Sequence, residues 1–123
     1  NAVGTPEVIV NPNRWNRIVN MVYLEAPAGA GFSYATNEAA YTTNDTQTAE
    51  ANMDALVTFY KGYPELLKNP LYLTGESYAG IYVPMFAQQI VNFNKANSPK
   101  IPLAGIMVGN GCTGTEIGAC GNE

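Results

Sequence analysis

The chain has 123 residues, a length that suits one small domain with a modest hydrophobic core. Hydrophobic residues make up 46% of the sequence, a share that excludes a disordered tail. Six basic and ten acidic residues give a net charge of −4 at pH 7, and the basic ones are scattered, which argues against a nucleic-acid partner. No apolar run approaches the roughly 18 residues that cross a bilayer, so no membrane partner is expected.

The sequence contains no histidine. A hydrolase that pairs a serine nucleophile with a histidine base would have to take that base from outside these residues. The lack of histidine and of a Cys-x-x-Cys pair also argues against a zinc site. We expect neither a metal nor another cofactor.

The first half of the chain predicts one strand and one helix. Residues 18–24 form a nearly continuous apolar run before Pro27, which is typical of a strand buried on both faces of a parallel sheet. The small residues 28–31 follow as a compact turn. Helix N-cap candidates then precede an amphipathic helix predicted from Thr46 to about Tyr63. Its apolar face consists of Ala49, Met53, Leu56, Val57 and Tyr60.

The second half predicts a second and a third strand with a helix between them. Residues 71–74 form a short apolar strand that Gly75 cuts off. Pro84 suits the first turn of a helix, so a helix is predicted from Pro84 to about Asn94. Residues 103–109 form the third strand. This order predicts an α/β fold with three parallel strands and two right-handed crossover helices.

The residues after the third strand add no closing element, because they are rich in glycine and other loop formers. Three parallel strands would leave two exposed edges, which a stable domain rarely tolerates. Residues 1–123 are therefore predicted to form a single, incomplete α/β domain within a longer chain.

The segment Gly75-Glu76-Ser77-Tyr78-Ala79-Gly80 lies where the second strand turns toward a helix. Such a turn presents a serine hydroxyl at the carboxyl end of the sheet, where α/β proteins bind ligands. Gly75 and Ala79 are small enough for strand and helix to approach, and the N–H groups that begin with Tyr78 can stabilise an oxyanion. The segment follows the pattern G-x-S-x-G with alanine in the last position. The pattern alone does not separate a nucleophile from an ordinary serine in a β-α turn.

A longer stretch resembles a known family. Residues 75–84, Gly-Glu-Ser-Tyr-Ala-Gly-Ile-Tyr-Val-Pro, resemble the nucleophile segment of the serine carboxypeptidases, the family of carboxypeptidase Y and cathepsin A. Residues 20–34 resemble the strand and turn before it, and residues 11–15 and 109–111 match landmarks on either side. Ile81 replaces a histidine common in the family, and the cathepsin A branch also has isoleucine there. The resemblance implies a partial α/β-hydrolase fold that includes the nucleophile elbow.

The resemblance implies roles for three adjacent residues. Ser77 corresponds to the acylated nucleophile. Tyr78 corresponds to one of two oxyanion N–H donors, and its ring to a wall of the pocket for the side chain before the scissile bond. Glu76 resembles a carboxyl group that binds the free C-terminus of a peptide. Because it donates a hydrogen bond to a carboxylate only while protonated, this role implies an acid-active exopeptidase. The alternative for Glu76 is a partly buried acid satisfied by a backbone N–H.

Two parts of the family's catalytic machinery are not found in the sequence. These are the upstream glycine-rich strand with the second oxyanion donor, and the downstream half with the catalytic Asp and His. Since loss of the triad base costs about 10⁶-fold in rate, the 123 residues alone are expected to be inactive. In the family's sheet the upstream strand lies between strands 18–24 and 71–75, so these two are expected not to pair.

Asn44-Asp45-Thr46 is an N-x-S/T sequon. In a secretory protein, Asn44 is a candidate glycosylation site. The alternative is that Asn44 serves only to cap the following helix.

Cys112 and Cys120 are the two cysteines of the sequence. In a secretory protein they favour a disulfide. The glycine-rich loop between them is flexible enough for them to pair with each other, but either could pair with a cysteine elsewhere in a longer chain.

The leading functional hypothesis, implied by the resemblance, is a lysosomal, vacuolar or secreted peptidase that removes single residues from peptides with a free C-terminus. One alternative is an acyltransferase of the same fold, in which an alcohol intercepts the acyl-enzyme. Another is a non-catalytic protective or scaffolding subunit, against which the complete elbow argues. The expected partners are the peptide substrate and the remainder of the chain, and a homodimer is left open.

Overall fold

The computed structural model describes Gly4, residues 7–114 and Cys120. Its regular elements, in chain order, are α1 (Asp45–Gly62), β1 (Leu71–Glu76), α2 (Ala79–Ala96) and β2 (Leu103–Gly109). Short 3₁₀ helices lie at Trp15–Arg17, Glu38–Tyr41 and Pro64–Lys68. No helix in these described ranges is both long enough and apolar enough to cross a bilayer.

Helix α1 begins and ends within one residue of the predicted bounds. The Asn44 side chain caps it by accepting a hydrogen bond from the Gln47 N–H at 2.9 Å. Asp45 in the first turn and Lys61 in the last turn both interact favourably with the helix dipole. The predicted apolar face is confirmed, since Ala49, Met53 and Tyr60 are buried, and Leu56 and Val57 pack against the core.

Strands β1 and β2 pair in parallel, and α2 connects them. Helix α2 packs against both strands, and α1 packs on α2. The core forms between these elements, and Ile90 of α2 at its centre has no exposed surface. The buried core residues are Met53, Tyr60, Leu73, Val83, Phe86, Ile90 and Ile101.

The predicted start of α2 at Pro84 is wrong, because the helix begins five residues earlier at Ala79. Pro84 therefore lies inside the helix rather than in its first turn. A proline there lacks the N–H that would donate to the carbonyl of the residue four positions earlier, which is Gly80. Helix α2 continues through Pro84 despite the missing hydrogen bond. Pro84 therefore does not mark the first turn of the helix, which is where proline is often found.

The predicted strand at residues 18–24 is also wrong. The segment has no regular structure, and its apolar side chains other than Met21 are exposed, with Ile18 at 90%. A strand forms only where a neighbour accepts and donates its backbone hydrogen bonds, and no described residue pairs with this segment. The sheet of the described residues thus has two strands instead of the predicted three, and 18–24 does not pair with β1.

The compact turn predicted at residues 28–31 is present. The Ala30 N–H donates to the Pro27 carbonyl at 3.0 Å, and the Ser33 hydroxyl donates to the Glu25 carbonyl at 2.6 Å. The Phe32 N–H donates to the Glu25 carboxylate. These bonds hold residues 25–33 in one closed loop.

Candidate active site

Ser77 occupies the turn between β1 and α2. Its backbone has a φ of 59°, in the left-handed region that residues other than glycine rarely adopt. Such a conformation costs of order 1–3 kcal/mol and persists only where the surrounding structure enforces it. A left-handed serine on a sharp strand-to-helix turn is the geometry that exposes the hydroxyl of a serine nucleophile. The structure thus places Ser77 at the predicted turn, and its side chain is exposed.

Three backbone hydrogen bonds hold Ser77 in this conformation. The Ser77 N–H donates to the Gly109 carbonyl at the end of β2, at 3.0 Å. The Ser77 carbonyl accepts from the Gly80 N–H at 2.9 Å and from the Cys112 N–H at 2.8 Å. Two of these bonds come from residues at and beyond the end of β2, so the neighbouring strand contributes directly to the turn.

Small residues allow the turn to close. A Cβ atom on Gly75 would overlap the Ala79 Cβ and lie 3.2 Å from the Val83 side chain. A Cβ atom on Gly80 would overlap the Cys112 carbonyl oxygen and lie 2.6 Å from the Cys112 nitrogen. Strand β1, helix α2 and the segment after β2 therefore meet at distances that only glycine permits at these positions.

The first turn of α2 offers N–H groups beside Ser77. Tyr78 is the N-cap residue of the helix, and within the described part of the chain its N–H donates to no acceptor. Unpaired N–H groups at a helix N-terminus favour negative charge. This N–H can therefore donate to an oxyanion that forms on a carbonyl attacked by the adjacent hydroxyl.

The Tyr78 side chain contacts the start of α1. Its hydroxyl donates to the Asp45 carboxylate, with distances of 3.1 Å and 3.2 Å to the two oxygens. The hydrogen bond to this carboxylate raises the pKa of Tyr78, so the phenol stays protonated throughout the acid and neutral range. The Tyr78 ring also packs edge to face on the Tyr82 ring, with centroids 4.8 Å apart.

Glu76 is the last residue of β1, directly before Ser77. It pairs in register with Gly109 and is exposed. Which of the two interpretations of Glu76 applies stays a prediction. The side chain is accessible to a ligand at the end of the sheet where Ser77 lies.

Asn44 is exposed, and its cap of α1 uses the side-chain oxygen. N-glycosylation modifies the side-chain nitrogen, so the same residue can both cap the helix and carry a glycan. Asp45, the next residue, contacts Tyr78, so the sequon lies close to the candidate active site.

Glycosylation and capping can be tested separately. In secretory expression, Thr46→Ala is expected to abolish a glycosidase-sensitive mass shift while the Asn44 cap remains. Asn44→Ala is expected to abolish the same shift and also to lower the free energy of unfolding by about 1 kcal/mol, measured against deglycosylated protein. A Thr46→Ala variant that keeps the mass shift would show that Asn44 carries no glycan.

Cys112 and Cys120 form a disulfide with their Cα atoms 5.3 Å apart. Of the two pairings that the sequence left open, the structure has the one within this chain. Cys112 is 1% exposed and donates its N–H to the Ser77 carbonyl, so the disulfide starts directly behind the elbow. Among the described residues, no group of three or more His, Cys, Asp and Glu side chains could hold a metal ion.

Sequence analysis missed two residues that touch the elbow. Asp45 contacts Tyr78 across 33 residues of sequence, and no local pattern signals such a contact. The role of the Cys112 N–H was missed because the cysteine was considered only as a disulfide partner. The pattern Gly109-Asn110-Gly111 just before it is the one local sign that the chain turns sharply there.

The strand, the left-handed serine and the helix together have the geometry of the nucleophile elbow found in α/β hydrolases. Comparison with known proteins agrees with this class. The family model for serine carboxypeptidases matches residues 1–120. The chain is 47% identical over 106 residues to the lysosomal protective protein of Mus musculus, covering 86% of this chain and 21% of the relative. It is 45% identical over 105 residues to serine carboxypeptidase-like 21 of Arabidopsis thaliana, covering 85% and 21%.

A solved structure is similar as well. The crystal structure of Kex1(Δ)p, a prohormone-processing carboxypeptidase from Saccharomyces cerevisiae, matches with a TM-score of 0.60 and 33% identity. The match covers 71% of this chain and 20% of that one. The chain belongs to the serine carboxypeptidase family, and it spans about a fifth of the length of the relatives that it matches.

Proposed function

We propose that these residues form the nucleophile-bearing part of a longer serine carboxypeptidase in which Ser77 is the nucleophile. The observation that carries the proposal is the exposed, left-handed Ser77 beside a Tyr78 N–H that no described residue accepts from, in a chain of this family. Backbone strain that the surrounding structure enforces occurs preferentially at functional sites.

The proposed reaction uses this geometry. The Ser77 hydroxyl oxygen attacks the carbonyl carbon of the last peptide bond, and a base supplied by the rest of the protein takes the hydroxyl proton. The Tyr78 N–H stabilises the resulting oxyanion. Collapse breaks the C–N bond, and the released amino acid carries the proton on its amine. Water then attacks the acyl ester, restoring the serine hydroxyl and releasing the shortened peptide.

Glu76 is proposed to bind the free carboxylate of the substrate. Its exposed side chain precedes the nucleophile by one residue, so it can reach a group close to the scissile bond. A protonated carboxyl group donates a hydrogen bond to a carboxylate, whereas an ionised one repels it. This pairing would select peptides with a free C-terminus and acid conditions.

Exposed apolar surface supports a longer chain around this unit. Ile106, Met107 and Val108 of β2 are exposed, as is the apolar segment 18–24. Large apolar side chains exposed in this number are normally covered by another part of the protein. A lysosomal, vacuolar or secreted location is proposed on the sequon, the disulfide and the similarity to a protein named lysosomal protective protein.

The proposal is tested by the products formed from blocked dipeptides. A full-length protein that contains this chain is expected to release one free amino acid from an N-blocked dipeptide acid at acid pH, and to release far less from the matched amide. Transfer of the acyl group to an added alcohol without release of acid would instead indicate an acyltransferase. No turnover by a folded protein would contradict the peptidase proposal.

Replacement of Glu76 by glutamine tests the carboxylate site. In the wild-type enzyme, KM for a peptide acid is expected to rise with pH and KM for an ester to rise much less, because only the acid needs a protonated partner for its carboxylate. Glutamine donates a hydrogen bond at every pH, so Glu76→Gln is expected to flatten the rise and to leave kcat within about tenfold. A variant with the wild-type pH dependence of KM would place the carboxylate site elsewhere.

A further inference from the structure

The orientation of the Tyr78 ring depends on few contacts. The residue is 41% exposed and does not belong to the buried core, so packing alone leaves its ring free to turn. Two contacts restrict the ring. One is the hydrogen bond from its hydroxyl to Asp45, and the other is the edge-to-face contact with Tyr82.

Asp45 is a rigid acceptor for this hydrogen bond. It is the first residue of α1, directly after the Asn44 cap. The helix behind it is anchored by the buried residues Ala49 and Met53. Its side chain has only two rotatable bonds, so the position of the carboxylate follows the position of the helix. Both carboxylate oxygens lie within hydrogen-bond distance of the Tyr78 hydroxyl.

In the proposed reaction, the Tyr78 ring forms a wall beside the side chain of the acyl group on Ser77. An acyl carbonyl bonded to the Ser77 oxygen and hydrogen-bonded to the Tyr78 N–H is within one residue of that ring. If the side chain of the acyl residue packs on this ring, it meets an aromatic surface whose orientation is set by the hydrogen bond of the Tyr78 hydroxyl to Asp45. A ring held in one place can favour particular side chains, whereas a mobile ring has to be ordered by each substrate.

We infer that Asp45 is a positioning residue that sets specificity, because it holds the Tyr78 ring as a fixed wall for the side chain before the scissile bond. This inference rests on the proposed function. A fixed aromatic wall favours binding of large apolar side chains over small ones, because large side chains bury more surface against it. Loss of Asp45 is therefore expected to weaken the preference for large apolar residues at this position.

The test is a double-mutant cycle in a full-length protein that contains this chain. The variants are Asp45→Ala, Tyr78→Phe and the combination of the two, with N-blocked dipeptide acids that carry Phe or Ala before the scissile bond. Asp45→Ala is expected to lower kcat/KM for the Phe substrate by about tenfold and for the Ala substrate by less than about threefold. Each single variant breaks the same hydrogen bond. The double variant is therefore expected to lower kcat/KM for the Phe substrate by no more than either single variant does.

Two further variants separate positioning from helix stability. Asp45→Asn loses the charge but keeps an acceptor oxygen. The ratio of kcat/KM for the Phe substrate to kcat/KM for the Ala substrate is therefore expected to stay within about threefold of wild type. Asp54→Ala removes an exposed carboxylate from the same helix and is expected to leave the ratio unchanged. The inference would be overturned if Asp45→Ala and Tyr78→Phe had additive effects on kcat/KM. It would also be overturned if Asp45→Ala lowered kcat/KM equally for the Phe and Ala substrates.

A measurement that needs no turnover checks the contact itself. With ¹³C-labelled tyrosine, the Cζ resonance of Tyr78 is expected to titrate at lower pH in Asp45→Ala than in wild type, because the hydrogen bond to Asp45 raises the pKa of this phenol. An unchanged titration would overturn the inference even if the peptidase activity were present. A shifted titration in a protein that cleaves no peptide would contradict the proposed function instead.

Discussion

Replacement of Ser77 by alanine in a full-length protein is expected to lower kcat by about 10⁶-fold without loss of the fold. The hydroxyl is exposed, and the bonds that hold the turn all use the backbone, so alanine removes the nucleophile and little else. Single-turnover kinetics with an ester substrate measures the loss. A residual rate within a hundredfold of wild type would assign the nucleophile to another residue.

Ser77→Gly serves as the matched variant, because it removes the same hydroxyl and also the strain. At a φ of 59° a glycine has no Cβ penalty. The glycine variant is expected to be as inactive as the alanine variant but more stable than it, by about 1 kcal/mol in denaturant unfolding. Equal stability of the two variants would show that the turn stores no strain at this residue.

Replacement of Gly80 by alanine is expected to cost about 3 kcal/mol of stability or to prevent the elbow from forming. The added methyl group would overlap the Cys112 backbone, and backbone atoms cannot move aside as a flexible side chain can. The Cys112 N–H donates a hydrogen bond to the Ser77 carbonyl, and displacement of Cys112 would break it. Activity is therefore expected to fall together with stability. Thermal unfolding and ester hydrolysis measure the two effects.

Gly62→Ala is the control for this substitution. Gly62 ends α1, and a Cβ atom there would meet no atom within 4 Å. Alanine is the better helix former by about 1 kcal/mol, so the control is expected to be neutral or stabilising. If Gly80→Ala were as harmless as Gly62→Ala, the close contact between α2 and the segment after β2 would be wrong.

Local sequence patterns were enough to predict those elements whose stabilising contacts all lie within the described residues. Helix α1 was predicted within one residue at each end, because its apolar spacing and its Asn44 cap are both visible in one continuous segment of the sequence. The turn at Ser77 was predicted for the same reason, since the small residues Gly75 and Ala79 indicate a close approach of strand and helix.

Features that depend on distant partners could not be predicted in this way. The apolar run 18–24 indicated a buried strand, but a strand needs neighbours, and no described residue pairs with it. The start of α2 was placed at Pro84 because a local signal outweighed the requirement that the helix begin directly after the turn. The hydrogen bond between Asp45 and Tyr78 joins residues that only the packing of α1 on α2 brings together.

Mapping of a covalent label tests the central claim most directly. A full-length protein that contains this chain is treated with a fluorophosphonate and digested with trypsin, which yields the peptide of residues 69–95, with Ser77 as its one serine. This peptide is expected to gain the mass of the phosphonyl group, fragmentation is expected to place the group on Ser77, and Ser77→Ala is expected to abolish the label. A label on a different serine of a folded, active protein, with residues 69–95 unmodified, would contradict the assignment.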